Sequence, residues 1–173
     1  LIAVEDTAEL LIANGLTPGV RVTDADKVKV SGSILDARFP SPASSPVTDG
    51  FGSRLSVYSA EGMSFELSRL ASDHLPIIAD FEIRDAPQGR AFPVAPAAPT
   101  AERWESLPLT SEQRRRNPNL LPESHLPRTL VRFGDARELL VSGLLDHGGE
   151  LAKRAAVVDA PVGKGHILLF AIN

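Results

Sequence analysis

The sequence AAVVDAPVGKGHILLF, at residues 155–170, places two apolar β-type runs on either side of a Gly163-Lys164-Gly165 link. Short apolar runs bounded by glycine are typical of strands, and a short glycine-rich link between two of them predicts a β-hairpin. The link does not match a phosphate-binding loop, because that loop opens a helix and carries Ser or Thr after its lysine. We therefore expect the chain to close on an antiparallel hairpin.

A strand and a helix follow one another at the start of the chain. Residues 1–4 form a continuous apolar run, which predicts a buried strand, and residues 8–13 have the composition of a helix. Asn14-Gly15 is typical of a helix C-terminus. One β–α step of this kind is the repeating unit of a parallel sheet. The sequence thus predicts an α/β fold with three layers and a mainly parallel sheet, flavodoxin-like in the broad sense, closing with the hairpin.

Further strands and one more helix are expected along the middle of the chain, from alternating or continuous apolar residues and from the spacing of leucines. The predicted strands lie within 20–39, 54–67, 75–81 and 129–133, and the predicted helix covers 136–145.

Residues 1–173 are predicted to form a single domain. Within it, residues 85–127 hold eight of the 14 prolines, so we interpret them as a Pro-rich surface excursion. Arg114-Arg115-Arg116 lies there and is interpreted as a solvated basic turn. The apolar runs at both ends favour a domain truncated from a longer protein, because natural termini are usually polar.

Composition excludes several classes of function. The chain has no cysteine, and so no disulfide, thiolate zinc site, iron–sulfur cluster or cysteine nucleophile. Its 22 acidic and 18 basic residues give a net charge of −4, without the basic excess of a nucleic-acid-binding protein. No run approaches the ~20 apolar residues of a membrane span. We expect a globular domain with neither a nucleic-acid partner nor a membrane span.

Motifs for catalysis and metal binding are weak. His147 and Glu150 form a His-x-x-Glu string, but two glycines separate them and no third ligand is indicated, so no metal site is predicted. His74, His125 and His166 occur singly and are interpreted as surface or packed residues. No Gly-x-Ser-x-Gly string marks a serine nucleophile.

The three residues Glu5, Asp6 and Thr7 are the candidate ligand-binding residues. They follow the first predicted strand, and open α/β sheets place their ligand sites at the carboxyl ends of parallel strands. The alternative is that an acid at this position caps the helix that follows.

Residues 155–170 resemble the closing hairpin of the class I glutamine amidotransferase-like domain at the C-terminus of bacterial zinc carboxypeptidases, relatives of carboxypeptidase A. Other segments are similar to that domain in the same order, although Val30 stands where its proline is common. These segments are residues 1–10, 31–35, 45–50 and 132–143. The resemblance thins across residues 85–127.

The resemblance implies a secreted or periplasmic parent protein that removes C-terminal residues with one zinc ion, held by a separate catalytic domain. The present chain is then a non-catalytic accessory domain with no cofactor of its own. It would pack against the peptidase domain, shape substrate access, or bind a peptide or a glycan such as peptidoglycan. Amidotransferase activity itself is excluded, because it needs a cysteine nucleophile.

Two alternatives remain open from the residues alone. One is a hydrolase site at the sheet edge, built from Glu5, Asp6 and one histidine, which requires these side chains to converge in a pocket. The other is an interaction module, in which residues 85–127 dock a partner.

Overall fold

The computed structural model describes residues 1–23, 27–40, 45, 47–71, 111–116 and 119–173. Most of the regular structure in these residues is β. The helices are α1 (Asp6–Ala13) and α2 (Ser111–Arg116), and short 3-10 turns cover Glu123–His125 and Gly148–Glu150. The strands are β1 (Ile2–Val4), β2 (Val20–Val22), β3 (Lys29–Val30), β4 (Ser33–Arg38), β5 (Arg54–Ser59), β6 (Phe65–Leu67), β7 (Arg128–Phe133), β8 (Leu140–Ser142), β9 (Leu145–Asp146), β10 (Ala155–Val162) and β11 (Gly165–Phe170).

Nine of these strands form one sheet. Its main path runs β1-β11-β10-β7-β4-β5, while β6 joins β10 and pairs with β2, and β8 joins β4. Strands β3 and β9 form a separate two-stranded ladder. Among the described strands, β1 and β11 are parallel and the other pairs are antiparallel.

The prediction of a three-layer α/β fold with a mainly parallel sheet is therefore wrong. Parallel neighbours need long crossover connections, usually helices. Here the two neighbouring pairs that are consecutive in the chain, β4–β5 and β10–β11, are antiparallel, and β10 and β11 are joined by a two-residue link. Continuous apolar runs do not reveal strand direction, because a strand buried on both faces looks the same in either kind of sheet.

The closing hairpin is confirmed. Strand β10 pairs with β11 from Val157↔Phe170 to Val162↔Gly165, and Gly163 has a φ of 60° in the two-residue link. This is the position where a type II′ turn requires glycine. The Gly163-Lys164-Gly165 link is thus a turn between strands and not a phosphate loop.

Strand β10 lies at the centre of the molecule and is buried on both faces. Val157 belongs to one hydrophobic cluster with Leu35 and Phe133, whereas Val158 belongs to a second cluster with Phe65 and Leu169. Helix α1 packs on the second side through the buried Ala8. Both cores therefore share a single strand.

The predicted first strand and first helix are both confirmed, but the strand is not buried as predicted. Residues 2–4 form a strand, and the helix predicted within residues 8–13 is α1. However, β1 pairs only with β11 among the described strands, and Ile2 is 64% exposed. The prediction of a buried strand is wrong, because β1 is an edge strand in which Ala3 alone is buried.

The helix predicted over residues 136–145 is wrong. This region contains a turn followed by β8, which pairs with β4, and β9, which pairs with β3. Leu139 is buried whereas Leu140 is 43% exposed. Gly143, with a φ of 105°, separates the two strands. Leucine pairs at 139–140 and 144–145 fit a helical period, but they fit two short strands around a glycine equally well.

The remaining predicted elements are partly described. Strands occur within residues 20–39, 54–67 and 129–133 as expected, although β5 pairs with β4 and not with β6. The predicted strand at 75–81 and most of the excursion at 85–127 lie outside the described residues. The end of the excursion is anchored, since Leu70 and Leu120 form a β-bridge. The arginines at 114–116 lie on α2 instead of in a turn.

Candidate functional site

The predicted ligand residues Glu5, Asp6 and Thr7 lie at the sharp junction between β1 and α1. Glu5 adopts a φ of 42° and a ψ of −115°, a strained conformation for a residue with a side chain. Its backbone N–H donates a hydrogen bond to the carbonyl oxygen of Phe170 at 2.8 Å, which holds the junction against the end of β11. Thr7 is exposed.

The side chain of Glu5 does not cap α1. Its Oε2 instead accepts a hydrogen bond from Asn173 Nδ2 at 2.9 Å. A strained strand-to-helix turn is the shape on which α/β-hydrolases carry their nucleophilic serine. In this chain a glutamate occupies that turn, and its side chain contacts the amide of Asn173.

The hydrolase alternative needs a histidine beside Glu5, and His166 is not there. His166 is the second residue of β11 and lies opposite Pro161, whereas Glu5 meets the other end of that strand at Phe170. Four residues of a strand span about 13 Å. The sheet therefore separates these groups. His74 lies outside the described residues.

A cluster that the sequence analysis missed surrounds Asp159 on β10. The Asp159 side chain is only 5% exposed. Its Oδ2 accepts a hydrogen bond from Arg128 Nη2 at 2.5 Å, and its Oδ1 lies 2.7 Å from His166 Nδ1. Because a carboxylate only accepts, Nδ1 carries the proton, and Nε2 of a neutral ring is left as an acceptor.

The Asp159 cluster resembles part of a catalytic triad but does not complete one. Within the described residues, the hydrogen-bond partners of the Asp159 side chain are Arg128 and His166, and neither supplies a hydroxyl. A buried carboxylate needs such partners because the charge loses its hydration. The cluster is best explained as the neutralisation of a charge inside the sheet. A lone acid in the apolar run at 155–160 was the available sequence signal.

A second buried carboxylate, Asp36, organises an ion-pair network on the outer face of β4 and β5. Arg54 Nε donates to its Oδ1 at 2.8 Å, and Arg38 Nε donates to its Oδ2 at 3.0 Å. Arg38 also contacts Asp135 at 3.0 Å and Glu138 at 2.6 Å through its terminal nitrogens. The hydrogen bond to Asp36 is the main cause that raises the pKa of Arg38.

The network extends to the turn before β10. Lys153 Nζ lies 3.0 Å from Asp135 Oδ1, and this hydrogen bond is the main cause that lowers the pKa of Asp135. The acids and bases of the network pair with one another, so they brace β4, β5 and the turn at 135–138. These residues are far apart in the chain, and no sequence motif connects them.

The His-x-x-Glu string does not form a metal site. His147 has a φ of 55°, and its Nδ1 lies 3.1 Å from Asp146 Oδ1. Glu150 forms an ion pair with Arg154 at 3.7 Å instead. Within the described residues, no group of three His, Cys, Asp or Glu side chains is arranged to hold a metal ion. The third described histidine, His125, contacts Ser124.

The described surface also carries exposed apolar side chains on adjacent strands. Ile34 on β4 pairs with Tyr58 on β5 at one side and with Ser142 on β8 at the other, so these residues cross three adjacent strands. Exposed apolar side chains continue along β8 and into the following turn. We define the apolar edge surface as Ile34, Tyr58, Leu140, Val141 and Leu144, which are 40–72% exposed.

Comparison with known proteins finds no family model, no curated protein and no solved structure that matches the chain. No helix in the described part of the chain has the length and apolar character needed to cross a membrane.

Proposed function

We propose that this chain is a non-catalytic accessory domain of a zinc metallocarboxypeptidase-type protein that is secreted or periplasmic. A separate domain of that protein would hold the zinc ion and remove C-terminal residues. The proposal does not include the amidotransferase-like layering, because the sheet is mixed and mostly antiparallel.

The arrangement of the segments that carry the resemblance supports the proposal. Residues 31–35 lead into β4, residues 132–143 contain the end of β7 and all of β8, and residues 155–170 form β10 and β11. Strand β4 pairs with both β7 and β8, and β7 pairs with β10. Segments far apart in sequence are therefore direct neighbours in one sheet, as is required if they belong to a single domain.

The chemistry of the charged groups also favours a non-catalytic role. Among the described residues, Asp36 and Asp159 are the buried carboxylates. Two arginines, Arg38 and Arg54, hold Asp36, and Arg128 together with the His166 ring holds Asp159. A carboxylate whose two oxygens are both occupied in this way has no oxygen free to exchange a proton with a substrate. The strained turn carries Glu5, which meets Asn173 and not a histidine.

A protein-interaction module is the second candidate function. The apolar edge surface supports it, because exposed apolar side chains gathered on adjacent strands of a globular domain are typical of an interaction site. In the accessory-domain proposal the partner is the peptidase domain, and a peptide or glycan is the possible further ligand.

The test compares the 173-residue chain with the full-length protein that contains it. Zinc content is measured by atomic absorption, and release of C-terminal amino acids from peptides is followed by chromatography. We expect about one zinc per chain and peptidase activity in the full-length protein, with neither in the 173-residue chain. Zinc-dependent release by the 173-residue chain, or its absence from the full-length protein, would contradict the proposal.

The variant Glu5→Gln tests the alternative that the chain carries a hydrolase site of its own. Ester or peptide hydrolysis by the 173-residue chain that disappears in Glu5→Gln would support a site at the strand-to-helix turn. Thr7→Ala is the matched control, since Thr7 is exposed on the same junction. If the unmodified 173-residue chain and both variants were equally active, the hydrolysis would not depend on Glu5, and this alternative would be wrong.

A further inference from the structure

We propose that His166 is a phosphoryl-acceptor site, at which Nε2 of the imidazole ring takes up a phosphoryl group from an acyl phosphate. Asp159 is the positioning residue of this site, and Arg128 provides positive charge for the phosphoryl oxygens. The inference concerns a modification of the chain. It does not rest on the proposed accessory role, and each can fail without the other.

The first argument is the way in which the His166 ring is held. Its Nδ1 lies 2.7 Å from Asp159 Oδ1. The Asp159 side chain is 5% exposed, whereas that of His166 is 57% exposed. A carboxylate that accepts from one ring nitrogen fixes the tautomer and the orientation of the imidazole. Nδ1 is therefore held against the sheet, and Nε2 has no hydrogen-bond partner within the described residues.

The second argument is that charge neutralisation alone does not require His166. Arg128 Nη2 already donates to Asp159 Oδ2 and provides one positive charge for one carboxylate. A histidine ring with its proton on Nδ1 is neutral and adds no charge. The carboxylate does, however, make the opposite nitrogen of such a ring more basic. An oriented and exposed imidazole with a free lone pair is a nucleophile.

The third argument is the charge that develops in the reaction. The Nε2 lone pair attacks phosphorus, the N–P bond forms, and the P–O bond to the acyl group breaks, so that a carboxylate leaves with the electron pair. The proton on Nδ1 stays in place, and the ring becomes an imidazolium. The Asp159 carboxylate stabilises this cation, as the aspartate of a serine-protease triad does for its histidine. The hydrogen bond becomes charge-assisted, and therefore stronger, as the bond to phosphorus forms.

The fourth argument is the neighbouring positive charge, which favours a phosphoryl group over other electrophiles. Arg128 is directly opposite Asp159, so both side chains lie on one face of the sheet. The Arg128 side chain is 54% exposed, and Lys164 is exposed in the turn two residues before His166. Guanidinium and ammonium groups bind phosphoryl oxygens. A neutral acyl group makes no use of them, and a metal ion needs further ligands that the described residues do not bring together.

The chain contains a matched comparison for this site. His147 is 58% exposed and its Nδ1 lies 3.1 Å from Asp146 Oδ1, but the Asp146 side chain is 65% exposed. Water weakens the interaction of that carboxylate with the ring. The two histidines are therefore similarly accessible to a reagent and differ in the burial of the carboxylate behind them.

The experiment treats the 173-residue chain with acetyl phosphate at neutral pH. Phosphorylation of each histidine is followed by mass spectrometry without acid, because the N–P bond is acid-labile. We expect His166 to react about tenfold faster than His147, owing to the stronger hydrogen bond from the buried carboxylate. Asp159→Asn keeps the size of the side chain and removes its charge, so it should slow the reaction of His166 about tenfold and leave His147 unchanged. Asp146→Asn is the matched control, and it should leave the rate at His166 within about twofold.

Two results would overturn the proposal. One is phosphorylation of His166 that is no faster than that of His147. The other is an Asp159→Asn variant that folds, as judged by circular dichroism, yet reacts at His166 as fast as the unmodified chain. If Asp159→Asn does not fold, the comparison of His166 with His147 in the unmodified chain decides the matter, because it needs no variant. Neither result bears on the zinc content or peptidase activity of the full-length protein, so the two proposals fail separately.

Discussion

Gly134 illustrates how a single residue depends on the buried charge beside it. A Cβ at this position would meet Oδ2 of Asp36 well inside van der Waals contact. That same oxygen accepts a hydrogen bond from Arg38. The backbone N–H of Gly134 also donates to the Asp36 carbonyl oxygen at 2.8 Å. The residue next to β7 must therefore lack a side chain if Asp36 is to keep its partners.

The first prediction follows from that contact. Gly134→Ala should lower the free energy of unfolding by about 1–3 kcal/mol, because the carboxylate must move and strain its ion pairs. Urea denaturation followed by circular dichroism measures the change. Gly52→Ala is the control, since a Cβ there meets open space, and its effect should stay within about 0.5 kcal/mol. Equal losses in the two variants would contradict the structural explanation.

The second prediction concerns pH. Hydrogen bonds from Lys153 and Arg38 hold the pKa of Asp135 below its ordinary value. A carboxylate whose pKa is lower in the folded state stabilises the fold above its unfolded pKa, about 4, and loses that contribution as pH falls further. Lys153→Gln should therefore destabilise the protein at pH 7 and much less at pH 3.

Urea denaturation at both pH values measures this difference. Lys164→Gln, in the exposed hairpin turn, is the control for the loss of a lysine charge. A destabilisation by Lys153→Gln that stays constant between pH 7 and pH 3 would show that the ion pair with Asp135 is not its cause.

At the scale of elements, the hairpin shows what local chemistry can specify. Gly163 has a φ of 60°, and a Cβ there would meet nothing within 4 Å. The third prediction is that Gly163→Ala costs about 1 kcal/mol of stability, because the left-handed conformation disfavours a side chain. Lys164→Ala should change stability by less than about 0.5 kcal/mol. Thermal or urea unfolding measures both, and equal effects would argue against a backbone cause.

In residues 136–145, by contrast, local chemistry does not specify the structure. Its leucines match a helical period, yet Leu139 is buried beside the core and Leu140 joins the sheet edge. The backbone N–H of Asp36 donates to the Leu139 carbonyl oxygen at 2.7 Å, and the hydroxyl of Ser33 donates to the carbonyl oxygen of Leu144 at 2.6 Å. These contacts come from β4, about a hundred residues away in the chain. A local pattern contains no information about them, so the sequence favoured the wrong element.

At the scale of the whole molecule, both hydrophobic clusters meet at β10. Val157 packs in one cluster and the adjacent Val158 in the other. The fourth prediction is that Val157→Ala and Val158→Ala each lower the free energy of unfolding by roughly 2 kcal/mol. Each variant should still unfold in a single transition, because neither core keeps its central strand when the other is lost.

Far-UV and near-UV circular dichroism in urea test this cooperativity. Coincident transitions are expected for both variants, and a separate early transition in either one would show that the cores are independent. Leu10→Ala is the control, because Leu10 is 61% exposed and its truncation removes little buried surface. Its effect should stay within about 0.5 kcal/mol.

The candidate sites differ in how far sequence could identify them. Glu5, Asp6 and Thr7 were predicted from their place after a strand, and the strand and helix around them are present. The clusters around Asp36 and Asp159 were missed. Their partners are fixed by cross-strand register, in which Arg54 and Arg38 are opposite one another and Arg128 is opposite Asp159. Register depends on which strands pair, and no motif records it.

The sequence by itself determined the local features of this protein: the closing hairpin with its glycine turn, the first strand and helix, and the absence of any cysteine chemistry. Turn chemistry and helix termination act over a few residues, so a short segment already contains their cause. The tertiary structure alone decided strand order and direction, the strand at 140–142, and the burial of Asp36 and Asp159. These follow from contacts between distant segments, because an apolar run is stable in several pairings until the complete core selects one.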